Sequence, residues 1–394
     1  TIAVGYAEQI KYPEKTIWEK PMGKFSVCIE KTFAPSARGI GLVIGCSTFP
    51  VWNTLPGLYA DLITGNAVIV KPHPKAILPI AICVAAIQQT LKENGFDANI
   101  VQLAVDTLDK PITKELATLP DVKLIDYTGG TAFGNWIEAL PSKITFTEKA
   151  GVNSVIIDSA KDIDAVLQNL AFSVSLYSGQ MCTAPQNFFI PEKIKVGETE
   201  LSFEEVAAKL RDSISALVNN PKMGPGVLGA IQNEKTLERT QQTSQSGGAV
   251  KLASAAVVNA EFENSRTVSP VLLEVSADDN KIFENELFGP IAIAIKTKNT
   301  GESIALAKQM AQQHGAITCA AYTTDENVMQ KIAEEMNEVY TPVTFNLTGP
   351  IWVNQHAAFS DMHGTSGNPS GNASFTDASF VNKRFVWVGN RRMM

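Results

Sequence analysis

The period of the hydrophobic pattern changes at Arg38. Before it, residues 24–33 (KFSVCIEKTF) alternate in part, with Phe25, Val27 and Ile29 on one side, which predicts an exposed strand. After it come short runs rich in Val and Ile: GIGLVIG, NAVIVKP, ANIVQLAV and VKLIDYTGG. Helical stretches lie between them, notably 79–94 and 111–119. Strands buried on both faces lose their alternation, so the pattern predicts an α/β unit with a parallel sheet covered by helices. Two of these strands end in Lys71-Pro72 and in Thr128-Gly129-Gly130. Open α/β sheets bind ligands at the carboxyl ends of their strands.

A second α/β unit is expected from Gly151. NSVIID reads as a strand. Asp162 is placed to cap a helix with Ile163, Val166, Leu167, Leu170 and Val174 on one face, ending near Tyr177-Ser178-Gly179. Residues 302–313 read as helix, and Thr323-Thr324-Asp325-Glu326 fits a capping box before Val328, Ile332 and Met336. The polar stretch 360–374 reads as a long loop, and 379–389 as a last strand in need of a partner. The expected division is 1–150, 151–355 and 356–394, with no internal repeat.

Composition narrows the function. The 394 residues allow two or three domains. The net charge is 33 − 40 = −7 with no sustained basic run, so neither nucleic acid nor an anionic membrane is an expected partner. The apolar run Ile77 to Ile87 has 11 residues and contains a proline, too short to span a bilayer. Cys28, Cys46, Cys83, Cys182 and Cys319 are scattered without a CxxC. That usage suits a reducing, cytoplasmic compartment, and no metal site is expected. The chain opens on Thr1, so the true N-terminus is expected upstream.

Four pieces could carry chemistry. Cys182, in YSGQMCTAP, follows a predicted helix end and precedes a proline; it is either a structural thiol or a nucleophile in a constrained loop. Glu148 ends a predicted strand. It is either a solvated carboxylate paired with Lys149 or a base that activates water near a thiol. Thr128-Gly129-Gly130-Thr131 is a strand-to-helix turn suited to a pyrophosphate, although it is not GxGxxG. Glu286-Leu287-Phe288-Gly289-Pro290 reads as a turn before the strand IAIAIK. The histidines His73, His314, His356 and His363 form no i, i+4 pair, and His314 before Gly315 reads as a helix end.

Together these pieces resemble the aldehyde dehydrogenase family. The order NAVIVKP, YTGGTAFG, Glu148, GQMCTA, ELFGP is similar to the family's, and Glu148 and Cys182 are 34 residues apart, as in the family. The resemblance runs from about Gly39 to about Val388. Residues 41–74 look most like the branch called phenylacetic acid degradation protein PaaN. It implies a cofactor domain and a catalytic domain that meet at a cleft, with a small oligomerisation sheet giving a homodimer or homotetramer. It implies that the thiolate of Cys182 attacks an aldehyde, that hydride passes to a nicotinamide, and that Glu148 activates the water that releases the acid. Glu286 would hold the nicotinamide ribose beside Phe288, Gly129 and Gly130 would approach the phosphates, and Lys71 would reach the adenosine ribose. The substrate would be a semialdehyde, free or on a coenzyme A thioester, with 360–374 at its entrance.

Two departures matter. The family's oxyanion-binding Asn lies eighteen residues before the Asn of a Gly-Asn turn; counting back from Asn66 gives Thr48, and Trp52-Asn53 is then a chance echo. NAD-preferring relatives carry a Glu where this chain has Pro74, so a 2′-phosphate meets no carboxylate there. With Lys71, His73 and Lys75 nearby, the expected cofactor is NADP, with NAD as the alternative. Two rival activities remain: transfer of the thioester to coenzyme A, and a nucleotide-binding relative with impaired catalysis.

A hydroxyl can supply one hydrogen bond to an oxyanion. Loss of a well-placed donor costs on the order of 3 kcal/mol, about a hundredfold in rate. Thr48→Ala is therefore expected to lower kcat for aldehyde oxidation; an unchanged kcat would remove the oxyanion role. A faster Thr48→Asn enzyme would mark the native site as compromised.

Overall fold

The partial alternation before Arg38 folds as a hairpin. β1 (Lys15–Met22) pairs antiparallel with β2 (Phe25–Ala37) around Gly23, whose φ of 71° lies in the left-handed region. The computed structural model describes residues 2–349 and 378–394. The chain divides into two compact units, Thr1–Glu148 with Gly371–Met394, and Lys149–Ser370.

In the first unit the Val/Ile runs form β3 (Ile40–Ile44), β4 (Ala67–Lys71), β5 (Val101–Leu103), β6 (Val122–Thr128) and β7 (Ile144–Glu148). They make one parallel sheet in the order β5-β4-β3-β6-β7. Leu42, Val43, Val70, Leu124 and Ile125 are fully buried, which explains why these strands do not alternate. The chain leaves β3 toward β4 and leaves β6 toward β7, so the strand order reverses between β3 and β6. Residues 46–48 and 128–130 follow the carboxyl ends of those two strands, where such sheets bind ligands. The helix α1 (Pro50–Ile63) opens with Pro50 at its first position, where the missing N–H costs nothing. The helix read over 79–94 is α2 (Ile77–Glu93), and α3 (Thr131–Glu138) follows the glycine turn.

The second unit holds a seven-stranded sheet. Its strands are β8 (Ser154–Ile157), β10 (Asn187–Pro191), β13 (Ala249–Leu252), β14 (Val271–Ser276), β15 (Ile291–Thr297), β16 (Cys319–Tyr322) and β17 (Val343–Phe345). The order is β13-β14-β15-β10-β8-β16-β17, with β13 alone antiparallel to its neighbour. A small sheet forms from β9 (Ser159–Ala160), β11 (Lys193–Val196) and β12 (Thr199–Ser202). The predicted helix behind Asp162 is α4 (Ile163–Ser175), and Asp162 accepts from the Ala165 N–H. His314 ends the helix Thr300–His314, and Gly315 follows with φ 80°.

Two expectations change. The 323–326 capping box does not form: Asp325 caps Glu326–Asn337 by accepting from the Asn327 N–H. Thr323 donates instead to Asp158, 2.7 Å away, because a buried hydroxyl must find an acceptor. The last strand is β18 (Phe385–Met393), later than 379–389, and a helical turn, Ser379–Asn382, precedes it. β18 pairs antiparallel with β2 in the sheet β1-β2-β18. The loop expected over 360–374, with His356 and His363, lies outside the described residues. Among the described residues no helix is long and apolar enough to cross a membrane, and no group of three or more His, Cys, Asp or Glu could hold a metal ion.

The late start of β18 has a cause: Arg384 turns inward. Its side chain is fully buried. The guanidinium makes a bidentate pair with Asp126 (2.6 and 2.8 Å) and a third bond to Asp61 (2.8 Å). Phe146 and Phe380 cover its face, with ring centroids 4.0 and 4.4 Å away. A Cβ on Gly41 would meet Asp61 Oδ2 at 1.9 Å, and one on Gly57 would meet Asp126 Cγ at 2.7 Å. Both carboxylates thus need glycines beside them. Burial, and the like charge of Asp126, push the Asp61 carboxyl up to about 7.

Removing one partner from a buried ion pair leaves an uncompensated charge and costs about 3–5 kcal/mol. Arg384→Met is expected to lower stability by about that amount in urea unfolding. Asp61 is raised in the fold relative to the unfolded chain, so folding takes up a proton between roughly pH 4 and pH 7. Its stabilising contribution is present at low pH and lost as pH rises toward 7. The melting temperature of Asp61→Asn should therefore gain on the native protein from pH 4 to pH 8; a constant difference would contradict the raised carboxyl.

Candidate active site

α4 stops at Ser175 because the next residues turn left-handed. Tyr177, Ser178 and Gly179 have φ of 50°, 54° and 61°. Non-glycine residues there are strained by about 1–3 kcal/mol each and persist only when their surroundings fix them. Those surroundings are visible. Buried Ser178 donates to Gly229 O at 2.9 Å. Gln180 donates to Tyr177 O and Ala230 O and accepts from the Gln232 N–H. A Cβ on Gly179 would lie 2.3 Å from Gly289 O, so this turn packs directly on the 285–290 segment.

Cys182 follows, half-buried, between partly exposed Met181 and buried Thr183. Its carbonyl accepts from Asn153 Nδ2 at 2.8 Å, and Ala184 O accepts from the same amide at 3.1 Å. Asn153 Oδ1 accepts from the Ile317 and Thr318 N–H groups. Asn153 thus uses both donors and both acceptor sites, clamping the Cys182 loop to the start of β16. By contrast, Cys319 is fully buried and its thiol is pushed up to about 12, which makes it inert.

The 285–290 segment is held as firmly. The Leu287 N–H donates to Gln186 Oε1 at 2.6 Å, and Gln186 Nε2 donates to Asn285 O at 3.1 Å. Those bonds flank Glu286. Arg239 donates to Phe288 O at 2.7 Å. Glu286 and Phe288 line one small cavity together with Met181 and Ala184 on either side of Cys182. Sequence reading passed over Asn153 and Gln186. Both are buried polar residues beside apolar strands, a combination that signals a fixed hydrogen-bond network but not its target.

In the first unit the remaining site residues sit at strand ends. Lys71 ends β4, buried, with Nζ 2.6 Å from Asp106 and 3.1 Å from Pro72 O. Asp106, which sequence reading did not single out, therefore offsets its charge. His73 Nδ1 accepts from the Lys75 N–H. Burial, then Lys71 and Lys75, lower the His73 pKa, so this ring is predominantly neutral at pH 7. The Gly129 N–H donates to Glu148 O, and a Cβ on Gly129 would strike the Tyr127 hydroxyl at 2.5 Å. Gly130 precedes α3, whose N-terminus has no side-chain cap, and the space around its Cα is open. An open, uncapped helix start with a neighbouring glycine fits a phosphate.

Glu148 is only 3% exposed, which overturns the solvated reading of this carboxylate. Asn53 is no bystander either: buried in α1, its amide reaches Glu148 Oε2 and Thr128 Oγ1, each at 3.5 Å. Thr48 is half-buried, with Oγ1 4.0 Å from Cys46 Sγ.

The pattern that defines the Aldehyde dehydrogenase family matches residues 3–371. The chain belongs to that family. It is 27% identical over 308 residues to N-succinylglutamate 5-semialdehyde dehydrogenase of Legionella pneumophila (strain Corby), covering 76% of this chain and 58% of that protein's length. Among solved structures, an NAD-dependent aldehyde dehydrogenase from Burkholderia multivorans superposes with a TM-score of 0.93 at 42% identity, over 100% of this chain and 71% of that one. A glyceraldehyde-3-phosphate dehydrogenase, GapN, from Methanocaldococcus jannaschii DSM 2661, solved with NADP, shares the fold with a TM-score of 0.71 at 18% identity, over 100% of this chain and 79% of that one.

Asn153→Leu would leave buried carbonyl and N–H groups unpaired, at about 1–3 kcal/mol each. The urea midpoint should fall, and Cys182 should react faster with a small thiol reagent as its loop loosens. An unchanged labelling rate would show that the clamp does not govern the loop.

Proposed function

We propose that the protein oxidises an aldehyde to a carboxylic acid through a thioester on Cys182, using a nicotinamide cofactor. The observation that carries the reading is the interlock of the Cys182 loop with the segment of Glu286 and Phe288. It holds a half-buried thiol beside the residues that the family resemblance assigns to the nicotinamide ribose and ring. In this reading the thiolate adds to the aldehyde carbonyl, and Thr48 donates to the oxyanion. A bound nicotinamide would supply the hydride acceptor. Glu148 takes a proton from the water that attacks the thioester, the C–S bond breaks with its electron pair on sulfur, and the acid leaves. Glu286 would hold the nicotinamide ribose, Phe288 would lie beside the ring, and Gly129 and Gly130 would give the phosphates room.

The cofactor reading keeps both nicotinamides. Pro74 supplies no carboxylate to repel a 2′-phosphate, which supports NADP. Asp106 offsets Lys71 and His73 is predominantly neutral, so the attraction expected from these two is reduced. The resemblance of residues 41–74 to the PaaN branch supports a semialdehyde of phenylacetate catabolism, free or coenzyme A-linked, as substrate. The sheet β1-β2-β18 exposes Ile17, Trp18, Met22, Phe25, Val386 and Val388, which supports pairing of this sheet in a homodimer or homotetramer. Scattered cysteines support a reducing compartment such as the cytoplasm.

The test is reduction of NADP and of NAD by the full-length protein with aromatic aldehydes and coenzyme A-linked semialdehydes, each with and without free coenzyme A. The expected result is turnover without coenzyme A, abolished by Cys182→Ala, with kcat/KM for NADP equal to or above that for NAD. Turnover only with coenzyme A would replace hydrolysis by acyl transfer. A clear preference for NAD would overturn the argument from Pro74.

A further inference from the structure

The resemblance gives Asn53 no role, yet its side chain is built into the unit that carries Glu148. It lies in the first turn of α1 and is 6% exposed. Its amide nitrogen is 3.5 Å from Glu148 Oε2 and 3.5 Å from Thr128 Oγ1, and its carbonyl oxygen is 3.4 Å from Cys46 Sγ. Only the nitrogen of an amide can donate to a carboxylate, and a thiol donates to the oxygen, so chemistry at both ends fixes the same orientation. Thr128 and Glu148 are register partners at the ends of β6 and β7, and Cys46 follows β3. One amide therefore gathers the ends of three strands. The Gly129 N–H holds the Glu148 carbonyl at 3.0 Å, so the backbone of Glu148 is fixed as well.

We infer that Asn53 is a positioning residue for Glu148: its amide holds the carboxylate in the orientation from which it accepts a proton from water. At 3.5 Å the contact is long, so its contribution is orientation rather than a strong bond. The inference rests on the proposed role of Glu148 as the base. A base must be held within reach of the proton it takes, and a buried carboxylate that rotates away loses the step it serves. Only the hydrolytic half of the reaction should depend on Asn53, because attack by the Cys182 thiolate needs no help from Glu148.

The test uses p-nitrophenyl acetate and the full-length protein. Thiolate attack releases p-nitrophenolate and leaves acetyl on sulfur, giving a burst. Water then attacks the acetyl carbon, its proton goes to Glu148, and acetate leaves as the C–S bond breaks, which sets the steady rate. Asn53→Leu, of similar size without a donor, should keep the burst rate within about twofold and lower the steady rate about tenfold, part of the roughly hundredfold or more that a well-held base contributes. Asn53→Ala, which also lacks the donor and adds no charge, should act the same way and guards against misfolding of the first variant. A wild-type steady rate in both variants, or equal loss of burst and steady rate in both, overturns the inference. Glu148→Gln separates the two readings. If it gives a burst and then stalls, the base reading stands, and the Asn53 variants decide the positioning role. If it turns over at the wild-type rate, the base reading fails, and the positioning role fails with it.

Discussion

One buried guanidinium organises the first unit. Arg384 lies between Asp61 on α1 and Asp126 on β6, and its own backbone leads into β18. Its carbonyl accepts from Asn66, whose side-chain oxygen accepts from the Arg38 and Gly39 N–H groups before β3. A helix, a central strand, the entry to a second strand and the chain terminus thus share one charge. Such a group stabilises only when every partner is in place, because an ion taken out of water regains its solvation solely through fixed neighbours. The helix and strand it ties carry Asn53 and Thr128, so the knot also sets the geometry at the strand ends where Glu148 sits.

The second unit solves a different problem. The nucleophile proposed here, Cys182, must be accessible, yet held in one place. The left-handed turn Tyr177-Ser178-Gly179 redirects the chain sharply after α4, and the strain is offset by buried Ser178 and Gln180. Asn153 then fixes the backbone at Cys182 and Ala184, and Gln186 fixes it on either side of Glu286. Preorganised polar groups of this kind reduce the reorganisation needed when charge develops on a reacting atom. In the proposed function, stability and chemistry draw on the same side chains, so a loss at Asn153 should be felt in both.

Charge near the glycine turn is arranged more evenly than the residue types suggest. Lys71 is a buried cation and would be costly alone; Asp106 makes it tolerable and also weakens its attraction for an anion. His73, between two lysines, relieves the repulsion by staying neutral. The uncapped start of α3 beside Gly130 would offer a phosphate backbone N–H groups rather than side-chain charge.

Local pattern determined much of this protein. Runs of Val and Ile between helical stretches gave two α/β units because burial on both faces erases alternation. Asp162 could be read as a cap, because its partner is three residues away. The family resemblance rested on ordered short motifs around Lys71, Glu148, Cys182 and Glu286. Tertiary structure decided what depends on distant partners. Asp325, not a capping box, starts its helix, while Thr323 donates to Asp158, 165 residues away. Asn53 looked like an echo of a motif until β6 and β7 brought Thr128 and Glu148 to its amide. Arg384 ended as a core residue, although arginine belongs by type to the surface, because two carboxylates from remote parts of the chain wait for it. Hydrophobic periodicity is written in neighbouring residues, whereas the partner of a buried polar group is chosen only when the chain closes on itself.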